Sequence, residues 1–145
     1  MAEFLFKGTK THFESVGRGP AIVLLHGFLE ASSMWNFAWQ KLGKNRRYIR
    51  IDLPGHGKSE CLGYTHQMEE MAELVNAVLV ELKVRRCQII GHSMGGYVSL
   101  AFAELYPETI KGVCLMNSTA ASTAFSIPRF SSIGFAPAVT FFRPS

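Results

Sequence analysis

Apolar residues fall along this chain in runs whose spacing changes from one segment to the next. "EFLF" and "THFESVG" alternate on either side of Gly8 and read as two short antiparallel strands joined by a turn. "AIVLLHG" is a continuous apolar run ending on His-Gly, the pattern of a strand buried on both faces. "SSMWNFAWQKL" has a serine at its start and bulky residues on one side, which predicts a helix. "RRYIRIDLPGHGKS" is a strand running into a Pro/Gly loop. From Gln67 to Leu82 the apolar positions Met68, Met71, Leu74, Val75, Val78, Leu79 and Leu82 keep a helical spacing, with Glu69, Glu70, Glu73 and Glu81 off the stripe. That stripe is core packing, not a ligand box. "CQIIGHS" is the next buried strand, "MGGYVSLAFAELYPE" a helix stopped at Pro107, and "IKGVCLMNS" a further buried strand.

Strands alternating with helices on short connections predict an α/β fold, a mostly parallel sheet with helices on both faces. Residues 1–118 carry this pattern and residues 119–145 do not. The tail holds no acidic residue and no lysine, shows no clear period of two or 3.6, and contains Pro128, Pro137 and Pro144. It suits a hydrophobic flap, the first piece of a cap, or a continuation foreign to the domain. The last parallel strand would leave an unpaired apolar edge, a liability for solubility. Either the Phe-rich tail covers that edge or the chain self-associates through it.

Size and composition narrow the classes. With 145 residues, 48% hydrophobic and 18% charged, the chain suits one modest globular domain. A net charge of +4 is a mild basic bias. Arg46-Arg47 and Arg85-Arg86 sit beside predicted strands without aromatic interleaving and read as solvated surface, so no nucleic-acid partner is expected. No apolar run reaches about 18 residues, so no membrane span is expected. The N-terminus places charges where a signal peptide needs an apolar core. Cys61, Cys87 and Cys114 are odd in number and widely spaced, and two of them fall inside apolar strand-like runs, which suits small buried residues in a reducing compartment rather than disulfides or metal ligands. A cytoplasmic location is the expectation, with no metal and no organic cofactor.

The chemistry concentrates at Gly91-His92-Ser93-Met94-Gly95. This G-x-S-x-G follows a buried strand and opens a helix, the context that makes it a nucleophile elbow. Side chains two residues before and after the serine would collide with neighbouring backbone at so sharp a turn, and glycine at Gly91 and Gly95 avoids this. The turn lifts Ser93 above the carboxyl edge of the sheet and aims a helix N-terminus at the reacting carbonyl. The Met94 N–H is then one oxyanion donor. His26-Gly27-Phe28, at the carboxyl end of an earlier strand, can bring the Phe28 N–H to the same oxygen, with Gly27 permitting the bend.

With these motifs the chain resembles the N-terminal half of the α/β-hydrolase fold superfamily, of the esterase, lipase and acyl-hydrolase type. "LLHGF", "DLPGHGKS" and "IIGHSMGGYVSL" agree in order and spacing, and the similarity covers about Phe4 to Ser118. The resemblance implies Ser93 as nucleophile, Phe28 and Met94 as backbone oxyanion donors, and a small-molecule acyl substrate. Relatives that cleave carbon–halogen bonds or epoxides carry aspartate at the elbow, so serine points to acyl transfer. His26 is expected to pin its own loop, and Asp52, His56 and Ser59 to shape theirs, with lining of the substrate entrance the lesser alternative for His56. His92 is expected to face away from the catalytic side, His12 and His66 to lie at the surface, and Trp35 and Trp39 to pack.

The family order of the triad is Ser, then acid, then His. No histidine and no aspartate follow Ser93, and Glu104 and Glu108 lie on or just after the elbow's own helix. The expectation is therefore a chain truncated before the last strands, with nucleophile and oxyanion hole but without base and orienter. On its own it would be a weak or inactive serine hydrolase. The alternative is a catalytically inactive binding or partner-assembly protein that keeps the elbow as inherited architecture.

Overall fold

The computed structural model describes residues 2–36, 41–63, 67–116, 130–136 and 139–144. Strands β1 (Ala2–Phe6) and β2 (Thr9–Gly17) form the expected hairpin. Its two turn residues, Lys7 and Gly8, both have positive φ, the twist that suits a two-residue hairpin. Strands β3 (Ala21–Leu25), β4 (Arg47–Ile51), β5 (Cys87–His92) and β6 (Ile110–Met116) form the parallel centre of an eight-stranded sheet of order β1-β2-β4-β3-β5-β6-β8-β7. Helices α1 (Met68–Glu81) and α2 (Met94–Leu105) follow β4 and β5.

Adjacent residues of β3 serve opposite faces. Val23 and Leu25 join the main core with α1 and α2, whose buried stripes include Leu74, Val75, Val78, Val98 and Phe102. Ile22 and Leu24 join a smaller core with Tyr48 and Trp35. Trp35 ends a short 3-10 helix, Ser32–Trp35, which covers that second face. The predicted helix at this place is therefore described only as this 3-10 turn, and Trp39 and His66 lie outside the described residues. His12 departs from its surface reading: only 13% of its side chain is exposed, since β2 is flanked by β1 and β4 and Glu14 stands 3.5 Å away.

The tail is where the sequence pattern misleads most. Strands β7 (Phe130–Ala136) and β8 (Val139–Pro144) pair antiparallel, and β8 runs antiparallel along β6 from Val113 to Met116. The edge of β6 is thus paired within the chain by the tail, one of the two alternatives that the sequence left open. A register shift between Ser132 and Gly134 breaks the alternation that would have marked β7 as a strand. Among the described residues no helix is long and apolar enough to cross a membrane.

All three cysteines are free, with Cys61 exposed and Cys87 buried. Burial pushes the Cys87 thiol up to about 12 and raises that of Cys114. Since the thiolate is the nucleophile, iodoacetamide at pH 8 is expected to alkylate Cys61 in the native protein and Cys87 only after unfolding. Peptide mass spectrometry before and after denaturation reads the difference.

Candidate active site

The aligned carboxyl ends of three parallel strands set the site. Leu25 of β3 is in register with Ile51 of β4 and Gly91 of β5, so the segments after them leave the sheet side by side. The third is the elbow. Ser93 has φ +52° and ψ −113° and caps α2. A regular left-handed residue pairs a similar φ with ψ near +47°, so Ser93 holds a strained conformation that costs about 1–3 kcal/mol. Both flanks fix it: its N–H donates to Met116 O at 3.0 Å, and the Gly96 N–H donates to its carbonyl at 2.9 Å. A Cβ on Gly91 would strike Gly95 O and lie 2.5 Å from Ser99 Oγ. A Cβ on Gly95 would lie 2.5 Å from Leu25 O and 2.6 Å from His26 O. These are the backbone collisions that glycine removes.

The loop after β3 is held from within. His26 is fully buried; its Nε2 accepts the Leu53 N–H at 2.9 Å, so Nδ1 carries the proton and donates to Gly27 O at 2.8 Å. Burial pushes the His26 pKa below its ordinary value, against the pull of the Gly27 carbonyl. Both ring nitrogens are committed to backbone, which makes His26 a loop pin. The turn Gly27–Glu30 closes through the Glu30 N–H on Gly27 O at 3.2 Å, with Leu29 in the left-handed region at φ +60°. This closure uses the Glu30 N–H and not that of Phe28.

Loop and elbow touch. A Cβ on Gly27 would lie 3.2 Å from Ser93 Cβ and 3.1 Å from His92 Nδ1, and would strike Glu30 Oε1. Glu30 Oε1 and His92 Nδ1 are 2.9 Å apart. His92, read from the sequence as facing away from the catalytic side, thus turns toward the loop after β3, and its partner Glu30 was missed altogether. The two belong to loops on different strands, and no spacing in the chain links them.

The loop after β4 completes the floor. Asp52, nearly fully buried, accepts the Ser32 N–H at 2.8 Å and the Lys58 N–H at 3.0 Å, while Ser59 Oγ donates to its carbonyl at 2.6 Å. Burial alone would raise the Asp52 pKa, but those N–H donors outweigh it and hold the carboxyl below its usual range. His56 packs its ring 5.1 Å from that of His26 and edge-on to Phe28 at 5.8 Å. Phe28, Leu29, Glu30, Pro54, His56 and Cys61 line an open cleft of about 370 Å³. Among the described residues no group of three or more His, Cys, Asp or Glu could hold a metal ion.

A model of the alpha/beta hydrolase fold family matches residues 20–138. The chain belongs to that family. It is similar to the dihydrolipoyllysine-residue acetyltransferase component of the acetoin cleaving system of Pseudomonas putida, at 37% identity over 115 residues covering 79% of this chain and 31% of that protein. It is similar also to the pimeloyl-(acyl-carrier protein) methyl ester esterase of Nitrosomonas europaea, at 33% identity over 109 residues covering 74% and 41% of the two chains. A thermophilic esterase from Thermogutta terrifontis superposes with a TM-score of 0.75 at 32% identity, over 81% of this chain and 44% of that one. This alpha/beta hydrolase chain spans less than half the length of these three relatives.

Proposed function

We propose that this chain carries the nucleophile and oxyanion hole of a serine hydrolase acting on an ester, thioester or similar acyl bond. The observation that carries the reading is the strained Ser93 corner in contact with the Gly27 loop. Ser93 Oγ attacks the acyl carbon and gives its proton to a base. The carbonyl oxygen takes up negative charge and is met by the N–H groups of Phe28 and Met94. Collapse expels the alcohol or thiol, which takes a proton, and water releases the acid from Ser93. Loss of one oxyanion donor typically costs about 2.7–4 kcal/mol of transition-state stabilisation. His26 is poorly suited to be the base, with both ring nitrogens engaged by backbone. By the family order the base is a later histidine, and none follows Ser93 in this sequence. Assistance from positioning and the oxyanion hole alone is worth about 10³–10⁴-fold over water in hydrolases stripped of their triad.

A fluorophosphonate probe tests the reading. Slow labelling of the wild-type chain, absent in Ser93→Ala, is the expected result. A chain that melts cooperatively yet takes no label at Ser93 would favour the second reading, a binding protein that retains the elbow as scaffold.

A further inference from the structure

We propose that the Glu30–His92 contact is a positioning clamp that holds the oxyanion loop in register with the nucleophile; the proposal rests on the serine-hydrolase reading of Ser93. Four observations meet at one point. Glu30 closes the Gly27 turn through its own backbone N–H, and its carboxylate then reaches across to His92 at 2.9 Å. His92 directly precedes Ser93, so it is bonded to the strained corner itself. The turn contains Leu29 at φ +60°, a conformation that non-glycine residues hold only where surrounding contacts enforce it. The gap above the Gly27 Cα is walled by Glu30 Oε1, His92 Nδ1 and Ser93 Cβ together, so a change in the pair moves the loop relative to the serine.

The pair's exposure separates placement from stability. Its side chains are 22% and 32% exposed, and polar side-chain pairs this open to water add little to global stability, charged or not. What the pair controls is the position of the Phe28 segment, which is bounded by Gly27 and Glu30. A clamp of this kind acts on the rate of serine acylation or phosphonylation and not on probe affinity. Glu30 and His92 touch neither the probe's leaving group nor its phosphorus in this scheme, and they act through the loop and the corner.

The test measures fluorophosphonate labelling of the full chain as a maximal rate and an apparent affinity, for Glu30→Ala, His92→Ala and the double variant. Each single change is expected to lower the maximal rate about tenfold with affinity and melting temperature little changed, and the double variant to be no slower than either single one, the non-additivity of a coupled pair. His92→Asn, which keeps an N–H donor toward Glu30, is expected to recover most of the rate. Independent multiplicative losses in the double variant, or an unchanged maximal rate in both single ones, would overturn the clamp. A second readout stands apart from labelling: amide exchange of the Gly27–Glu30 turn is expected to speed up in His92→Ala, and unchanged exchange there overturns the clamp. Should the wild type show no Ser93-dependent labelling while His92→Ala still loosens the turn, the clamp stands as a structural link and the serine-hydrolase reading is what fails.

Discussion

Gly95→Ala is expected to be among the most damaging single-methyl additions in this protein, lowering stability by about 3 kcal/mol or more. Its Cβ would sit 2.5 Å from Leu25 O, 2.6 Å from His26 O and 2.8 Å from Leu25 C, all backbone atoms at the end of a central strand. A flexible side chain would swing away from such a methyl. These carbonyls cannot, because β3 is hydrogen-bonded on both sides, to β4 and β5. Relief requires α2 to move off the sheet, and α2 buries Val98, Leu100, Phe102 and Ala103 in the main core. A loss of this size is a large part of the about 5–15 kcal/mol that holds a domain folded. Gly63→Ala is the control, since its Cβ meets nothing within 4 Å; a change within about 0.5 kcal/mol is expected there. Urea unfolding of both variants decides the matter: if Gly95→Ala unfolds at the same midpoint as Gly63→Ala, the contact between elbow and strand is looser than described.

How much of this was legible in the chain follows from the range of each interaction. Gly91 was legible because the collision it avoids, with Gly95 O and Ser99 Oγ, arises within the strand-to-helix turn itself, whereas the contact of Gly95 with Leu25 O and His26 O is set by a distant strand. The parallel centre was legible because strands buried on both faces must be apolar throughout, as "AIVLL" and "CQII" are. His26 could be read as a pin from its place after a buried strand, although its partner Leu53 could not. The Glu30–His92 contact left no trace, because two surface-looking residues on separate loops meet only once β3 and β5 are aligned. The β7–β8 hairpin was hidden for a different reason: a bulge interrupts the alternation, and Pro144, which proves to be the last residue of β8, argues against regular structure.

Asp52 is the other residue whose loss is expected to be severe, and it carries a pH signature. Its two carboxylate oxygens each take a backbone N–H, from Ser32 at the start of the 3-10 helix and from Lys58 in the next loop. A Cβ on Gly57, which sits at φ +54°, would fall 2.5 Å from Asp52 Oδ1 and 2.6 Å from Oδ2, so the loop is wrapped closely round the carboxylate. Asp52→Ala strands both donors, and hydrogen bonds to a charged group are worth about 1.5–3 kcal/mol each. A loss of about 3 kcal/mol at pH 7 is therefore expected. Asp52→Asn keeps the shape but turns an amide N–H toward one of the donors, so it should recover only part of this. The Asp52 pKa is lower folded than unfolded, so its contribution is complete above the unfolded value of about 3.9 and disappears as pH falls through the lower folded value. His26 is likewise depressed by burial, and its contribution begins to fade as pH falls below about 6.5. The Asp52 charge is itself one of the influences that raise the His26 pKa, so the difference between the two urea midpoints reports on Asp52 below the unfolded carboxylate value, where Asp52 takes up its own proton. That difference should narrow as pH falls below the unfolded value of about 3.9. A gap that stays constant to the lowest pH at which both proteins fold would mean that the charge on Asp52 is not what binds the two loops together.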